Sequence, residues 1–285
     1  MLRDWRRVKE RIFLAVTSIL AMVAVAPLFH IIASVAIRGG GVLYRAGLDF
    51  LTSQPAPPGS SMLGGIGPAL LGTLWLALLT SAIGIPLSVL TAVFIVEFKD
   101  HPLARLAKVF TSSLLEIPTV LIGMLVFLTI VSMMGHYSLL AGSIALAIVM
   151  LPYTVSYVER AMEEVPRTYR EAGYSIGMTR SQVVFDVVMG IARRGVAAGV
   201  VIGLAKIVSE TAPLLFTIGS ARSSYPMSMK DVFEPGDAVP LLIFQFAQTP
   251  YQNWQDLAWG AALILTVIVL ALFAAMKLIV REVHL

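Results

Sequence analysis

The sequence predicts an all-α, polytopic membrane protein with six transmembrane helices. Of its 285 residues, 58% are hydrophobic and only 13% are charged, whereas about 25% of the residues in a soluble domain carry a charge. A span of the hydrocarbon core takes roughly 20 residues, and six apolar stretches reach that length. These predicted spans are residues 12–37, 69–96, 114–134, 139–158, 195–218 and 257–279.

Basic residues alternate in density along the chain. Sixteen of the 21 Lys and Arg residues lie in the N-terminal segment, in the loops after the second and fourth spans, and in the C-terminal tail. Positive charge collects on the cytoplasmic side, so both termini are predicted to be cytoplasmic in a multi-pass protein of the cell membrane. The first span is too long to be a signal-peptide core and is interpreted as uncleaved. The pI near 9.4 follows from the same bias and does not predict a nucleic-acid partner.

Several kinds of chemistry are not supported by the sequence. There is no cysteine, so disulfides and thiol chemistry are excluded. No His, Asp or Glu cluster has metal-ligand spacing, so neither a metal nor a cofactor is expected. The phosphate-binding pattern Gly-x-x-x-x-Gly-Lys-[Ser/Thr] is missing, so any ATP hydrolysis must come from another polypeptide. We therefore expect no catalytic site in this chain.

An opposite-charge pair lies inside the fifth predicted span. Lys206 and Glu210 are four residues apart, and each charge at mid-bilayer costs roughly 2.5–3.5 kcal/mol. Gly195, Gly199 and Gly203 share their helical face, and small residues at this spacing allow close helix contact. The pair is predicted to face a helix-packed interior or a passage. The alternative is an ion pair that only stabilises packing.

Residues 159–194 form the one sizeable cytoplasmic loop and are predicted to contain two short helices. The first runs from Pro166 to Gly177, and a capping box at Thr179 opens the second, which ends before Gly190. The second helix has an apolar face made of Val183, Val184, Val187 and Val188. Such a compact unit suits docking of a soluble partner. The alternatives are a solvated loop or a helix-turn-helix DNA reader, but five acidic residues nearly balance its six arginines, which disfavours DNA.

Two loops on the outer side are long. Residues 38–68 are rich in Gly and Pro and are predicted to be irregular. The loop of residues 221–256 contains an apolar stretch, 240–247, that is too short to span. It is either a re-entrant or interfacial turn, or a packed loop.

The cytoplasmic loop resembles the EAA loop of ABC importer permeases. The resemblance rests on Glu171, Ala172 and Gly177 at the family spacing; Gly173 replaces the second alanine and Gly190 stands where proline is usual. In that family the loop forms a coupling helix seated in a groove of the ATP-binding subunit. The resemblance implies this role for Glu171, Ala172 and Gly177.

A second motif narrows the resemblance to phosphate-importer permeases of the PstA type. Residues 210–217, Glu-Thr-Ala-Pro-Leu-Leu-Phe-Thr, match the motif throughout, and residues 117–123 are also similar. Lys206 replaces the arginine of the family and Ser209 its glycine. The resemblance implies the type I ABC importer permease fold, with residues 1–68 as an N-terminal region. Residues 69–285 would form a core of five spans and the coupling loop.

The implied function is permeation of inorganic phosphate by alternating access in an ATP-driven importer. Lys206, Glu210, Thr211 and Ser209 would line the pathway, with Lys206 attracting the anion and Glu210 accepting a hydrogen bond from protonated phosphate. Thr211 would lie about 100° around the helix from this pair. The implied partners are an ATP-binding cassette ATPase subunit, an extracytoplasmic phosphate-binding protein, membrane lipid, and a homologous second permease or a second copy.

Other functions stay open at this point. An ABC permease of this type could carry phosphonate, molybdate or sulfate instead. An ion-coupled secondary transporter could use Glu210 and Lys206 as a proton relay. The absence of an evident inverted repeat disfavours this last alternative.

Overall fold

The computed structural model describes residues 2–221 and 223–281, and this part of the chain is almost entirely helical. It contains no strand apart from an isolated antiparallel bridge between Pro55 and Gly64. The α-helices are α1 (Leu2–Ser34), α2 (Gly40–Ala46), α3 (Asp49–Thr52), α4 (Gly67–Glu97), α5 (Pro102–Leu114), α6 (Thr119–Val126), α7 (Ser132–Met134), α8 (Leu139–Glu163), α9 (Arg167–Ser175), α10 (Arg180–Gln182), α11 (Met189–Val208), α12 (Val239–Ala247) and α13 (Gln252–Arg281). Shorter helical turns are of the π type at Val35–Gly39, Phe127–Val131 and Val183–Val188, and of the 3₁₀ type at Pro213–Phe216 and Asp231–Phe233.

Five helical runs among the described residues are long and apolar enough to cross a membrane. They are Lys9–Ala46, Gly67–Glu97, Leu139–Glu163, Arg180–Val208 and Gln252–Leu278. The all-α prediction is confirmed. The predicted boundary at residues 68 and 69 falls in the first turn of α4, and residues 282–285 of the predicted core region lie outside the described part of the chain.

The third predicted span, residues 114–134, differs from the structure at its start. Leu114 ends α5, and the chain then turns through 107° before the run Thr119–Met134. Counting α5 and this run as one bent span gives the six that were predicted. Pro118 directly precedes the second helix, and because it has no N–H it cannot continue an α-helix from α5.

Helix α8 is the centre of the bundle. In its most apolar stretch of 18 residues, 67% is buried inside the protein, and α4 and α11 pack on it. Leu146, Met150 and Val155 contribute to the core around α8 and are almost fully buried. Because α8 is covered by its own chain, its apolar residues contribute to folding rather than to lipid contact.

The glycine stripe of α11 packs closely against another helix, as predicted, and the structure identifies that helix as α8. A Cβ atom on Gly195 would lie 2.5 Å from the Cβ of Ala161, and one on Gly203 would lie 2.2 Å from the Oγ1 of Thr154. Gly199 faces α8 in the same way. Any side chain here would hold the two helices apart, so glycine permits their close contact.

Two predicted helix ends on either side of this stripe are wrong. The second cytoplasmic helix does not stop before Gly190, because α10, the π-helical turn and α11 form one run, Arg180–Val208. A glycine inside a helix lowers helix stability by only about 1 kcal/mol relative to alanine. Burial of Val184 and Val188 offsets this loss, so the helix continues through Gly190. The predicted span 195–218 also ends too late, since Ser209 terminates the helix.

The loop of residues 38–68, predicted to be irregular, is largely helical up to Thr52, is irregular over residues 53–66, and enters α4 at Gly67. The apolar stretch 240–247 belongs to α12, which is packed in the bundle: Leu241 and Phe246 are fully buried. Phe246 stacks on Trp254 of α13 with ring centres 4.4 Å apart. The stretch is therefore a helix packed inside the bundle and not an irregular loop.

Candidate substrate-pathway site and coupling surface

Lys206 and Glu210 form an ion pair at the end of α11. The Lys206 Nζ contacts the Glu210 Oε1, and the Glu210 side chain is 8% exposed while that of Lys206 is 32% exposed. Glu210 lies beyond the last helical residue, where its N–H donates to the Ile207 carbonyl at 3.2 Å. The carboxylate of Glu210 is therefore buried in the protein, while the side chain of Lys206 remains partly accessible.

Two residues from other helices complete this site. Thr119, at the start of α6, donates a hydrogen bond from its Oγ1 to the Glu210 Oε2 at 3.3 Å. The Lys206 Nζ lies 5.4 Å from the ring centre of Tyr153 on α8, within cation–π range. Both carboxylate oxygens of Glu210 thus have a partner, and the Lys206 ammonium is held between a carboxylate and an aromatic ring.

A close backbone contact brings Thr119 to this place. A Cβ atom on Gly123 would lie 2.6 Å from the Cα of Pro213, so α6 meets the turn Pro213–Phe216 without an intervening side chain. Pro213 cannot supply an N–H to the carbonyl four residues back, which favours the end of α11 just upstream. The two stretches that carried the family resemblance, 117–123 and 210–217, therefore pack against each other.

The two neutral residues predicted for the pathway have different surroundings. Ser209 is exposed, but its Oγ donates back to the carbonyls of Ala205 at 3.1 Å and Lys206 at 3.0 Å. Thr211 is half-buried, and its carbonyl accepts the N–H of Leu214 at 3.1 Å. The predicted 100° offset of Thr211 does not apply, because the helix has ended before it.

Sequence reasoning missed Thr119 and Tyr153. Thr119 lay within the quoted stretch 117–123, so the family resemblance contained a usable signal for it. The sequence contained no signal for Tyr153, since it is one of eight tyrosines and lies in an apolar span with no distinguishing motif. The missing information is the contact between α8 and α11, which is not local in sequence.

The loop predicted to couple to an ATPase contains α9 and the π-helical turn Val183–Val188; we call residues 167–188 the coupling unit, and its helix α9 ends in a Schellman motif. Gly177 has φ +86°, its N–H donates to the Tyr174 carbonyl at 3.0 Å, and the N–H of Met178 donates to the Gly173 carbonyl at 3.1 Å. No atom lies within 4 Å of a Cβ built on Gly177, so glycine is required here for its backbone conformation alone.

The next residues also fold as predicted. Thr179 and Gln182 form both hydrogen bonds of a capping box, at 2.8 and 3.4 Å. Val183, Val184 and Val188 are buried and Val187 is half-buried, so the apolar face is confirmed. Packing explains why glycine replaces the second alanine of the family motif at position 173. A Cβ atom on Gly173 would lie 2.9 Å from the Val183 side chain.

Glu171, Ala172 and Gly177 all lie on the exposed side of this unit. Ile176, at its tip, is 79% exposed although it is a large apolar residue. Exposed apolar groups rimmed by polar ones are typical of protein interaction surfaces. The three residues predicted to couple to an ATPase therefore surround an accessible apolar tip.

A clamp that sequence reasoning missed fastens this unit to the end of α4. Arg170 on α9 forms an ion pair with Glu97, whose side chain is only 6% exposed. Arg180 donates to the backbone carbonyl of Glu97, and its guanidinium lies 4.1 Å from the ring centre of Phe98. We call Glu97, Phe98, Arg170 and Arg180 the α4 clamp.

Comparison with known proteins agrees with this fold. The family model described as "Binding-protein-dependent transport system inner membrane component" matches residues 84–284. The "Probable phosphate transport system permease protein PstA" of Methanocaldococcus jannaschii is 41% identical over 97% of this chain and 95% of its own length. The "Phosphate transport system permease protein PstA" of Yersinia pestis is 31% identical over 94% of this chain and 88% of its own.

Among solved structures, the MetNI methionine ABC transporter in inward-facing conformation aligns with a TM-score of 0.59 at 20% identity. The alignment covers 78% of this chain and 95% of the other. The helices and their order define a multi-pass membrane permease with the type I ABC importer fold. The chain belongs to the binding-protein-dependent transport system inner membrane component family.

Proposed function

We propose that this chain carries inorganic phosphate across the cytoplasmic membrane as a permease subunit of an ATP-driven importer, working by alternating access. The observation that carries the proposal is the ion pair between the partly exposed side chain of Lys206 and the buried carboxylate of Glu210 at the end of α11. Relatives named phosphate permeases, similar along nearly the whole chain, support the choice of phosphate over other oxyanions. They likewise disfavour an ion-coupled secondary transporter.

The chemistry of the pair suits phosphate. A lysine ammonium is a compact point charge that attracts the anion without the bidentate grip of arginine. Glu210 moderates that charge and accepts a hydrogen bond from protonated phosphate, whereas it repels fully ionised sulfate. In this mechanism Thr119 orients the Glu210 carboxylate, and Ser209 and Thr211 line the same passage.

The proposal requires partners. ATP would be hydrolysed by an ATP-binding cassette subunit seated on Glu171, Ala172 and Gly177, and an extracytoplasmic phosphate-binding protein would deliver the anion. A homologous second permease would cover the partly exposed side chain of Lys206. Both termini would be cytoplasmic, with the coupling unit on the same side.

Uptake of radiolabelled phosphate by the assembled importer tests the proposal. We expect Lys206→Ala and Glu210→Gln each to lower uptake roughly ten- to hundredfold, since a hydrogen bond to a charged group contributes about 1.5–3 kcal/mol. Lys230→Ala, which removes an exposed lysine from a loop, is the matched control and should transport normally. Wild-type uptake by both site variants at equal membrane abundance would contradict the pathway role.

The source of energy has its own test. Phosphate uptake should stop when ATP is depleted and persist when an uncoupler dissipates the proton gradient. The opposite pattern would favour the secondary transporter. Competition by excess sulfate or molybdate should leave phosphate uptake nearly unchanged.

A further inference from the structure

A polar cavity of about 370 Å³ lies between the first span and the start of α13. The side chains that matter in its lining are Arg38, Arg45, Gln252, Gln255, Asp256 and Trp259. None of them belongs to the pathway site or to the coupling unit. The cavity is at the bundle end where α4 begins, as the hydrogen bond from Asn253 to the Pro57 carbonyl at 2.9 Å indicates, so it is opposite the α4 clamp.

The backbone positions Arg38 over this cavity. Arg38 lies in the π-helical turn Val35–Gly39, and a Cβ atom on Gly39 would lie 2.6 Å from the Trp259 carbonyl oxygen. The turn therefore rests directly on α13. The Arg38 guanidinium lies 4.8 Å from the centre of the Trp259 ring, which holds the cation at the cavity wall.

The charges in the cavity do not balance. Arg45 donates from its Nη2 to the Asp256 Oδ2 at 3.0 Å, and Gln252 donates to the Oδ1 at 2.9 Å. Both carboxylate oxygens of Asp256 are thus occupied. Arg38 forms no ion pair with any carboxylate in residues 2–221 and 223–281. The cavity accordingly carries one uncompensated positive charge.

The depth of the cavity matches the phosphate layer of a membrane. Arg38 directly follows the apolar run 12–37, and Asp256 directly precedes the run 257–279. A site at these ends of the two predicted spans would lie where hydrocarbon meets headgroups, and tryptophan, here Trp259, is enriched at that boundary. Ile37, the residue before Arg38, is 74% exposed and adds to the apolar surface of the first span.

We propose that this cavity binds a phosphate oxyanion, with the Arg38 guanidinium as its principal ligand and Arg45 as a second donor. Guanidinium groups form paired, charge-assisted hydrogen bonds with phosphate oxygens. The oxyanion belongs either to the headgroup of an anionic lipid or to free inorganic phosphate, which offer the same chemistry. Asp256 limits the affinity by neutralising Arg45.

Lipid retention by the purified importer is the first measurement. The importer is first placed in nanodiscs made of phosphatidylglycerol and is then transferred to a neutral detergent. Native mass spectrometry counts the phosphatidylglycerol molecules that remain bound. Arg38→Gln should reduce the apparent affinity for phosphatidylglycerol about tenfold, since a charge-assisted hydrogen bond is lost. Asp256→Asn should increase it, because it removes the negative charge but keeps an oxygen for Gln252.

The second measurement is binding of radiolabelled inorganic phosphate in neutral detergent, carried out in a Lys206→Ala background so that the pathway site does not contribute. A loss caused by Arg38→Gln in this assay alone identifies free phosphate as the ligand, and a loss in the lipid assay alone identifies the headgroup. Arg105→Gln removes an exposed arginine of α5 and is the control for net charge.

The proposal is overturned if Arg38→Gln changes neither measurement, or changes them no more than Arg105→Gln does. If Arg38→Gln does not purify as a monodisperse complex, Asp256→Asn is the deciding variant. Unchanged affinity of Asp256→Asn in both assays also overturns the proposal. Failure here leaves the phosphate-pathway role of Lys206 untouched, because that role is measured by uptake.

Discussion

Glu210 is held by side chains from both of its neighbours in the fold. Lys206 reaches it along α11 and Thr119 reaches it from α6, so each carboxylate oxygen has its own partner. An isolated buried carboxylate would be far costlier than one with two partners. The half-exposed Lys206 is the member of the group that an anion could approach.

Replacing Thr119 by valine tests the contribution of this hydroxyl. Valine keeps the shape of threonine but leaves the Glu210 Oε2 without its donor at 3.3 Å, so we expect phosphate uptake to fall several-fold, corresponding to about 1 kcal/mol. Thr119→Ser should retain most activity because the hydroxyl remains.

The matched control for Thr119→Val is Thr129→Val, since the Thr129 hydroxyl bonds only to the Leu125 carbonyl of its own helix. Equal uptake by Thr119→Val and the wild type would mean that Glu210 does not depend on Thr119. Equal loss in the Thr129 variant would point to a general effect on helix packing.

Single residues show what could be predicted from the sequence. The capping box at Thr179 and the left-handed Gly177 are signalled by residues three or four positions away, and both predictions are confirmed. Thr119 and Tyr153 join the site through contacts between distant helices, which no local pattern encodes. The Glu97–Arg170 pair was missed for the same reason, since 73 residues separate its partners.

At the scale of elements, the coupling unit owes its helix ends to local contacts, the capping box at Thr179 and the left-handed Gly177. Its attachment to the rest of the protein depends on contacts with α4, which is distant in sequence. Helix α9 packs so closely on the Val183–Val188 turn that Gly173 has no room for a side chain. The α4 clamp then joins the unit to the second membrane-spanning helix. Movement of α9 must therefore move the end of α4, unless the buried pair between Arg170 and Glu97 breaks.

Gly177→Asp tests the unit as a docking element. The substitution adds strain at a left-handed position, on the order of 1 kcal/mol, and a negative charge beside the exposed apolar tip. We expect the variant to lose pull-down of the ATPase subunit or to hydrolyse ATP without transporting phosphate. Gly135→Asp is the control, because Gly135 is also left-handed with open space around it, but at the other end of the bundle.

Normal pull-down together with normal coupled hydrolysis in the Gly177→Asp protein would contradict the docking role. A defect of the same size in the Gly135→Asp protein would show that left-handed strain anywhere in the fold is responsible. The comparison separates a local effect at the docking surface from loss of stability.

Most membrane spans were predictable, and their ends were less so. Apolar length alone identified the long helices, because a chain must bury its backbone polar groups inside helices to cross a membrane. The end of α11 at Val208 was not visible in hydropathy, since residues 211–218 are as apolar as the helix before them. It is set by Pro213 and by the contact with Gly123, a packing feature.

Among the surfaces that the described residues leave uncovered, two bear on assembly with other proteins. The most apolar stretch of the first span is not buried by the rest of the protein, and the side chain of Lys206 is 32% exposed. A lysine facing lipid at this depth would be costly, which favours a second protein on that side. The fold of one chain therefore has a complete core around α8 but leaves the proposed pathway residue Lys206 partly uncovered.

Co-purification in mild detergent tests this at the scale of the assembly. Because the partly exposed Lys206 needs a protein cover, we expect a tagged chain to recover a homologous permease in equal amount, together with an ATPase subunit. Recovery of this chain with only further copies of itself would instead favour a symmetric pore. A chain that purifies alone, with full phosphate binding, would contradict the requirement for any second permease.

The unbroken run from Arg180 to Val208 has a mechanical consequence. At 1.5 Å per residue, its 29 residues form a rod of about 44 Å, with the docking unit at one end and Lys206 at the other. Gly195, Gly199 and Gly203 hold the half of this rod that leads to Lys206 closely against α8. Because the glycine contacts continue to Gly203, three residues before Lys206, a force at the Arg180 end would move Lys206 only by sliding α11 along α8 or by carrying α8 with it.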